Sequence, residues 1–578
     1  MLSLIKKYLN KKAVIAAVLF LMIQVACDLY LPTVTVNIID KGIVQDDLPY
    51  IWQKGFQMLI VTLAGLLSAA GNIYFAATQS QGMGRKIRAA IYRKVIHFSN
   101  RNLNDFGESS LVTRATNDVV QIQNLMINVL RMMIMSPLML FGAIFLAFLQ
   151  SPKLTVTFIV ALLLLGIIIA LIMKFAVPRF KSLQKQTDRI NLIFREGLTG
   201  VRVIRAFNRD DFEQQRFDHA NRYYTRTGIQ AYILAALMFP LMTFILNLTN
   251  IGIVSLGSYL IAHYELEVGN LVAFMTYSTQ ILISFMMLAM LFVFIPRADV
   301  SAQRINSVLK TRNTVQDSSR PATLSKDCPV SLVFDHVNLQ YSAGKLALQD
   351  ISFQARAGQT VAIIGDTGSG KSSLVNLIDR LYDPTSGQVQ LDGVPVAKLS
   401  QAQLHRRVAM TQQKALLFSG TVRSNLKFGN EHANDDQIWH ALKIAQSADF
   451  VKAAGGLSTK VAQGGDNFSG GQKQRLSIAR TILKPADVYI FDDSFSALDF
   501  ATDAKLRENL IHEPRIQRAV TVIVAQRIST ILDADLILVL HRGRIVGKGT
   551  HSQLLHHNSF YRSIYDSQIK KGALRHES

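Results

Sequence analysis

A membrane domain of six α-helical spans, followed by a separate cytoplasmic α/β domain built on a phosphate-binding loop, is the fold class this sequence predicts. Three observations predict it. Six long apolar runs all lie before residue 300, an aperiodic polar stretch occupies 311–329, and beyond that a β-branched run feeds a glycine-rich loop and then a helix. The chain has 578 residues, room for three or four ordinary domains of about 150 residues or for two large ones. The boundaries read as a membrane domain at 1–310, a linker at 311–329 and a second domain at 330–578. With 49% hydrophobic and 18% charged residues, against roughly a quarter charged in a typical soluble chain, disorder and collagen-like structure are excluded. The two cysteines, Cys27 in an apolar run and Cys328 in the polar stretch, provide neither a disulfide scaffold nor a thiolate zinc site.

The apolar runs lie at about 13–39, 56–79, 132–150, 154–173, 234–262 and 271–295, and among Asp, Glu, Lys and Arg they contain only Asp28. A hydrocarbon core of roughly 30 Å needs about 20 helical residues, so each run can cross it. The first run is too long for the roughly 7 to 15 apolar residues of a cleaved signal and reads as an anchor. Segments 1–12, 81–128 and 174–230 carry four, seven and twelve Lys and Arg, whereas the intervening loops hold only Lys41, Lys54 and Lys153. By the positive-inside rule both termini and the second domain face the cytoplasm. The formal charge of +22 is thereby assigned to membrane topology, and no nucleic-acid partner is expected. The two long basic stretches are rich in helix formers, so the helices are expected to run past the lipid and to turn at the polar, glycine-containing points 104–110 and 196–200.

In the second domain Thr-Val-Ala-Ile-Ile at 360–364 runs into Gly365-Asp366-Thr367-Gly368-Ser369-Gly370-Lys371-Ser372, and then into the helix-compatible Ser373-Leu374-Val375-Asn376-Leu377-Ile378. This is a P-loop in its strand–loop–helix setting. The glycines let backbone N–H groups close around phosphates, the helix N-terminus adds positive potential, Lys371 reaches the β and γ phosphates, and the Ser372 hydroxyl ligates Mg²⁺. Asp366 places a carboxylate in the loop and is expected to point outward. The buried-strand pattern Val488-Tyr489-Ile490-Phe491 ends in Asp492-Asp493, where Asp492 is the candidate for the magnesium shell.

Between these two motifs lies Phe468-Ser469-Gly470-Gly471-Gln472-Lys473-Gln474-Arg475. With this segment the chain resembles the ATP-binding cassette (ABC) transporters, whose signature is Ser-Gly-Gly-Gln, and the resemblance covers nearly the whole sequence. It implies ATP and Mg²⁺ as cofactors, Tyr341 stacked on adenine, and Gln413 both touching Mg²⁺ and relaying to the membrane domain. It further implies that 496–499, ending in Asp499, forms a loop across a dimer interface. Six spans before one cassette resemble an exporter half, with 106–118 and 196–207 as its coupling elbows and 301–305 as the exit from the sixth helix. Two cassettes of this family close head to tail, with ATP between the P-loop of one and Ser469, Gly470, Gly471 and Gln472 of the other, so a second half-transporter is the implied partner.

Two positions depart from the family pattern. The glutamate expected after Asp492 to polarise the attacking water is Asp493, and the switch histidine expected after Val524-Ala525 is Gln526. A general base must lie within about 2.6 to 3.2 Å of the proton it takes, and Asp is one methylene short. Glutamine can hydrogen-bond a γ-phosphate but does not titrate near neutral pH and so cannot carry a proton as histidine does. The pair predicts a site that binds ATP and hydrolyses it slowly, in a heterodimer resembling the bacterial multidrug exporters of the plasma membrane, where the partner supplies the catalytic set. A slow homodimer and a regulatory cassette subunit are the alternatives. The cargo expected from this resemblance is amphipathic or hydrophobic; a lipid or lipopeptide translocator and an importer of exporter fold remain open. Asp28, Met286 and Met290 are the candidate substrate contacts, and Pro32, Pro137 and Pro240 candidate kinks.

Overall fold

The computed structural model describes residues 1–324, 330–341, 344 and 346–576; the side chains of residues 2, 289–293 and 569–576 fall outside that description, as do Cys328 and the end of the polar stretch. The chain forms two compact units, Met1–Val95 with Ser109–Thr311, and Ile96–Glu108 with Arg312–Ser578.

The first unit is helical, and among the described residues six helices are long and apolar enough to cross a membrane: Lys11–Ile43, Leu48–Ile96, Glu108–Gln150, Pro152–Ala206, Asp210–Ala262 and Val268–Leu288. At 1.5 Å per residue the 55-residue fourth helix is about 80 Å long, far more than a bilayer requires, so these helices do continue beyond the apolar runs. One expected turn is moved. Residues 196–200 stay inside the helix Pro152–Ala206, and the chain reverses at 207–209, where Asn208 takes a left-handed φ of 50°. Gly197 and Gly200 only weaken a helix, by about 1 kcal/mol each, whereas Asn is among the residues that enter the left-handed region readily.

Of two short π-helical segments, Ile38–Ile43 ends the first helix and Val129–Met133 interrupts the third. A π turn leaves backbone groups off the regular ladder, and here the buried Asn72 amide donates to the carbonyls of Leu130 (3.3 Å) and Ala17 (2.9 Å), joining the first three spans. Val25, Leu29, Leu140, Phe158, Ile253 and Phe274 form a core shared by the first and third to sixth spans, and Gly142 admits the Leu29 side chain where a Cβ would collide with it. Pro32 and Pro137 lie inside helices. Pro240 lies in the first turn of Met238–Ala262, which continues from Asp210–Ala236 through Leu237, itself helical in φ and ψ.

In the second unit a six-stranded sheet runs in the order Arg544–Gly549, Leu536–His541, Thr360–Gly365, Val520–Val524, Val488–Asp492, Val408–Thr411. Every adjacent pair is parallel except Arg544–Gly549, which is antiparallel at the edge. Its central strands are buried on both faces, which explains why their sequences are nearly continuous apolar runs rich in Val and Ile. A four-stranded antiparallel sheet led by Leu348–Arg356 and Ser331–Leu339 completes the fold.

The polar stretch has no regular secondary structure over 312–324, yet it is packed. Val315 is buried, Ala322 N–H donates to Lys398 O, and the Arg380 guanidinium donates to Gln316 O. Residues 96–108 belong to the same unit. The helix Asn100–Phe106 is capped by Ser99 and ends at Gly107 (φ 74°). Asn313 Oδ1 accepts from Ser99 N–H at 2.8 Å, and Asn104 donates to the Tyr382 hydroxyl at 3.3 Å.

Candidate nucleotide site

The phosphate loop is set by its strand. Thr360–Gly365 lies between Val520–Val524 and Leu536–His541, and a Cβ at Gly365 would collide with the Leu540 carbonyl oxygen. Gly370 closes the loop at φ 106°, with the Ala347 carbonyl oxygen 2.8 Å from where its Cβ would stand, and caps the helix Lys371–Ile378. Only glycine fits either position. Lys371 Nζ donates to the carbonyls of Gly365 (2.7 Å) and Asp366 (2.8 Å). Burial pushes its ammonium down, against the charges of Asp493, Asp366 and Asp492. The Ser369 hydroxyl is buried with no hydrogen-bond partner among the described residues. Asp366 points outward as expected, toward His541 Nδ1 at 3.2 Å, with its side chain 60% exposed.

A cleft of about 350 Å³ gathers Tyr341, Thr367, Gly368, Gly370, Lys371, Ser372, Ser373, Gln413, Asp492, Asp493 and Gln526. Tyr341 donates to the Ser373 hydroxyl at 2.8 Å and meets the Tyr382 ring edge-on at 4.9 Å. The Ser372 hydroxyl donates to Asp492 Oδ1 at 3.2 Å, and burial raises the Asp492 carboxyl above its ordinary range, helped by the adjacent Asp493 charge. Ser372, Gln413 and Asp492 offer hard oxygen donors together in the cleft, a set that fits Mg²⁺. The Ser369 hydroxyl and the Lys371 ammonium, both carried by the phosphate loop, suit the phosphates such an ion accompanies.

The two departures from the family pattern meet each other. Asp492 pairs in register with Val524 across parallel strands, so the residues just beyond, Asp493 and Gln526, emerge side by side. Gln526 Nε2 donates to Asp493 Oδ2 at 2.7 Å, and Gln413 Nε2 reaches the same oxygen at 3.4 Å. Asp493 holds a left-handed φ of 49°, and its N–H donates to Val524 O. Burial pushes the Asp493 carboxyl up, opposed by hydrogen bonds from Ser496, Gln413 and Gln526 and by Lys371.

Ser469, Gly470, Gly471 and Gln472 lie away from the cleft, as does Asp499. Ser469 and Gln472 form a capping box at the start of Gly470–Leu483. Asp499 caps Phe500–Ile511, and its hydrogen bonds to Thr502 hold its carboxyl below the usual range. Asp28 and Met286 have different neighbours. Asp28 Oδ1 lies 3.9 Å from the Cβ position of Gly65 on the second span, while Met286 packs with Leu165, Met242 and Ile245 of the fourth and fifth spans. The Met290 side chain is outside the described residues. Sequence reasoning missed His541 beside the phosphate loop and Gln568 beside the Gln526 segment. The in-register pairing of strands ending at 492 and 524 is the signal that could have placed Asp493 against Gln526; no local pattern marks Gln568.

Fold and site together define a P-loop nucleotide-binding domain in one chain with a six-span membrane domain. The ABC transporter transmembrane region model matches residues 14–286, and the ABC transporter model matches residues 348–496. An uncharacterized ABC transporter ATP-binding protein of Mycobacterium tuberculosis, MT1311, is 37% identical over 96% of both chains. YheI of Bacillus subtilis, described as a probable multidrug resistance ABC transporter ATP-binding/permease protein, is 34% identical over 73% of this chain and 72% of its own. A bacterial Atm1-family ABC exporter solved with ATP bound superposes with a TM-score of 0.79 at 24% identity, over 96% of this chain and 98% of that one. The chain belongs to the ABC transporter family. With one membrane region and one ATPase domain it is a half-transporter of exporter fold.

Proposed function

We propose that this chain is one half of a heterodimeric exporter in a bacterial plasma membrane, that both termini and the ATPase domain are cytoplasmic, and that its own P-loop site binds Mg²⁺-ATP but hydrolyses it slowly. The observation that carries the reading is the hydrogen bond between Gln526 and Asp493. The carboxylate that should polarise water is short by one methylene, and one of its oxygens is occupied by two amides. The group facing it from the switch position is an amide, which does not take up and release a proton near neutral pH. Binding is served by separate residues. Lys371, the loop N–H groups from Thr367 to Ser373, and Tyr341 hold the nucleotide. Ser372, Gln413 and Asp492 hold the Mg²⁺, which neutralises phosphate charge. Ser469 to Gln472 and Asp499, outside this cleft, are available to complete the partner's site.

The cargo class we propose is amphipathic or hydrophobic compounds, supported by the multidrug description of YheI and by the apolar character of the spans; Asp28 would favour cations among them. ATP binding closes the cassettes and moves the elbows, shifting the spans between two accessible states. The test is to purify the chain in nanodiscs, alone and with a co-expressed second half-transporter. The lone chain should bind ATP and release phosphate slowly, and trapping with vanadate should label the pocket built on the partner's P-loop. Rapid cleavage in the pocket containing Lys371 would overturn the reading.

A further inference from the structure

The segment that carries Gln526 is held from outside the cleft by the C-terminal helix, Ser559–His576. The Gln568 side chain spans the segment's backbone. Its Nε2 donates to the Gln526 carbonyl and its Oε1 accepts from the Ile528 N–H, both at 2.8 Å. One primary amide thus satisfies two backbone groups on either side of Arg527 and fixes the peptide from which the Gln526 side chain projects. That side chain ends 2.7 Å from Asp493 Oδ2. The helix bearing Gln568 is firmly seated: Tyr561 is fully buried, its hydroxyl pairs with His551 Nδ1 at 2.7 Å, and the Phe560 ring packs on His541 at 4.6 Å. His541 in turn faces Asp366 of the phosphate loop at 3.2 Å. The same helix therefore braces the site at both ends, one through a ring contact and the other through a paired amide.

We propose that Gln568 is a positioning residue of the nucleotide site: by clamping the backbone at Gln526 and Ile528 it holds the Gln526 amide where a γ-phosphate would meet it. The inference rests on the reading that Gln526 faces that phosphate and is independent of how fast the site hydrolyses. A side chain that loses two backbone anchors samples several rotamers and peptide orientations, so recognition of the third phosphate weakens while contacts to the first two, made by the P-loop, do not change.

The experiment uses the full-length chain in nanodiscs and measures displacement of a fluorescent trinitrophenyl nucleotide by Mg²⁺-ATP and by Mg²⁺-ADP. Gln568→Ala should reduce the preference for ATP over ADP by about three- to tenfold, the range expected from losing one or two modest hydrogen bonds, and leave ADP affinity unchanged. Gln568→Met, which retains the packing volume without the hydrogen bonds, should behave the same way. In a Gln526→Ala background Gln568→Ala should have no further effect, because the residue it positions is gone. An unchanged preference in Gln568→Ala, an equal loss of ATP and ADP affinity, or a full effect persisting in the Gln526→Ala background would each overturn the proposal. If Gln526→Ala alone leaves the preference intact, the role given to Gln526 is wrong and the proposal falls with it. Brisk hydrolysis by the unaltered chain would refute the slow-site reading only.

Discussion

Replacing Asp493 by Glu should do little by itself, and the structure says why. Glu restores the missing methylene, roughly 1.3 Å of reach, and a misplacement near 1 Å costs on the order of a hundredfold in rate. Reach is only part of the defect, because the Asp493 oxygen accepts from Gln526 at 2.7 Å and from Gln413 at 3.4 Å. A longer carboxylate in the same amide environment still has its basic oxygen engaged. Groups in direct contact are not expected to add independently. We therefore expect Asp493→Glu to raise hydrolysis only about two- to fivefold, Gln526→His alone to change it less, and the double substitution to raise it about a hundredfold, within the range of general-base catalysis. The assay is single-turnover phosphate release by the purified chain in nanodiscs, with ATP saturation confirmed for each variant. Full recovery from Asp493→Glu alone would show that side-chain length was the whole defect and would refute the argument from the amide contact.

Gly365→Ala forces a Cβ into the Leu540 carbonyl oxygen and should lower stability by about 2 to 4 kcal/mol, whereas Gly393→Ala, at φ 74° with open space around it, should cost only about 1 kcal/mol; thermal melts of the two variants compare them directly. Tyr561 is pushed up to about 12 by burial, with Tyr565 adding to the rise. Its folded-state value lies above the unfolded one, so the stabilisation is complete below the ordinary phenol range near pH 10 and is lost as pH climbs from there toward about 12. Tyr561→Phe should flatten that alkaline loss in pH-dependent melts. Asp28→Asn should slow efflux of cationic dyes from vesicles and leave neutral ones unaffected; equal slowing of both would remove Asp28 from cargo selection.

Much of this architecture was legible from residue order because it rests on local chemistry. Six apolar runs interrupted by basic stretches could hardly be anything but spans, and the phosphate loop announces itself through the spacing of its glycines, of which Gly365 and Gly370 leave no room for a Cβ. What stayed hidden depends on distance through space. Glycine content suggested a turn at 196–200, but helical continuity prevailed there, and the reversal was left to Asn208. Asp493 and Gln526 looked like two separate losses until strand register brought them into one hydrogen bond. The stretch 312–324 lacks any periodic pattern, yet it is anchored by single bonds such as Ala322 to Lys398, which no hydropathy pattern encodes.

The company that residues 96–108 keep has a practical corollary. An ATPase fragment cut from the chain at residue 311 would lack the short helix whose Asn104 donates to the Tyr382 hydroxyl, removing that bond from a ring that packs edge-on against Tyr341 of the cleft. Nucleotide affinities measured on such an excised piece would describe a domain missing one of its own packed helices, so its binding curves should not be carried over to the intact protein.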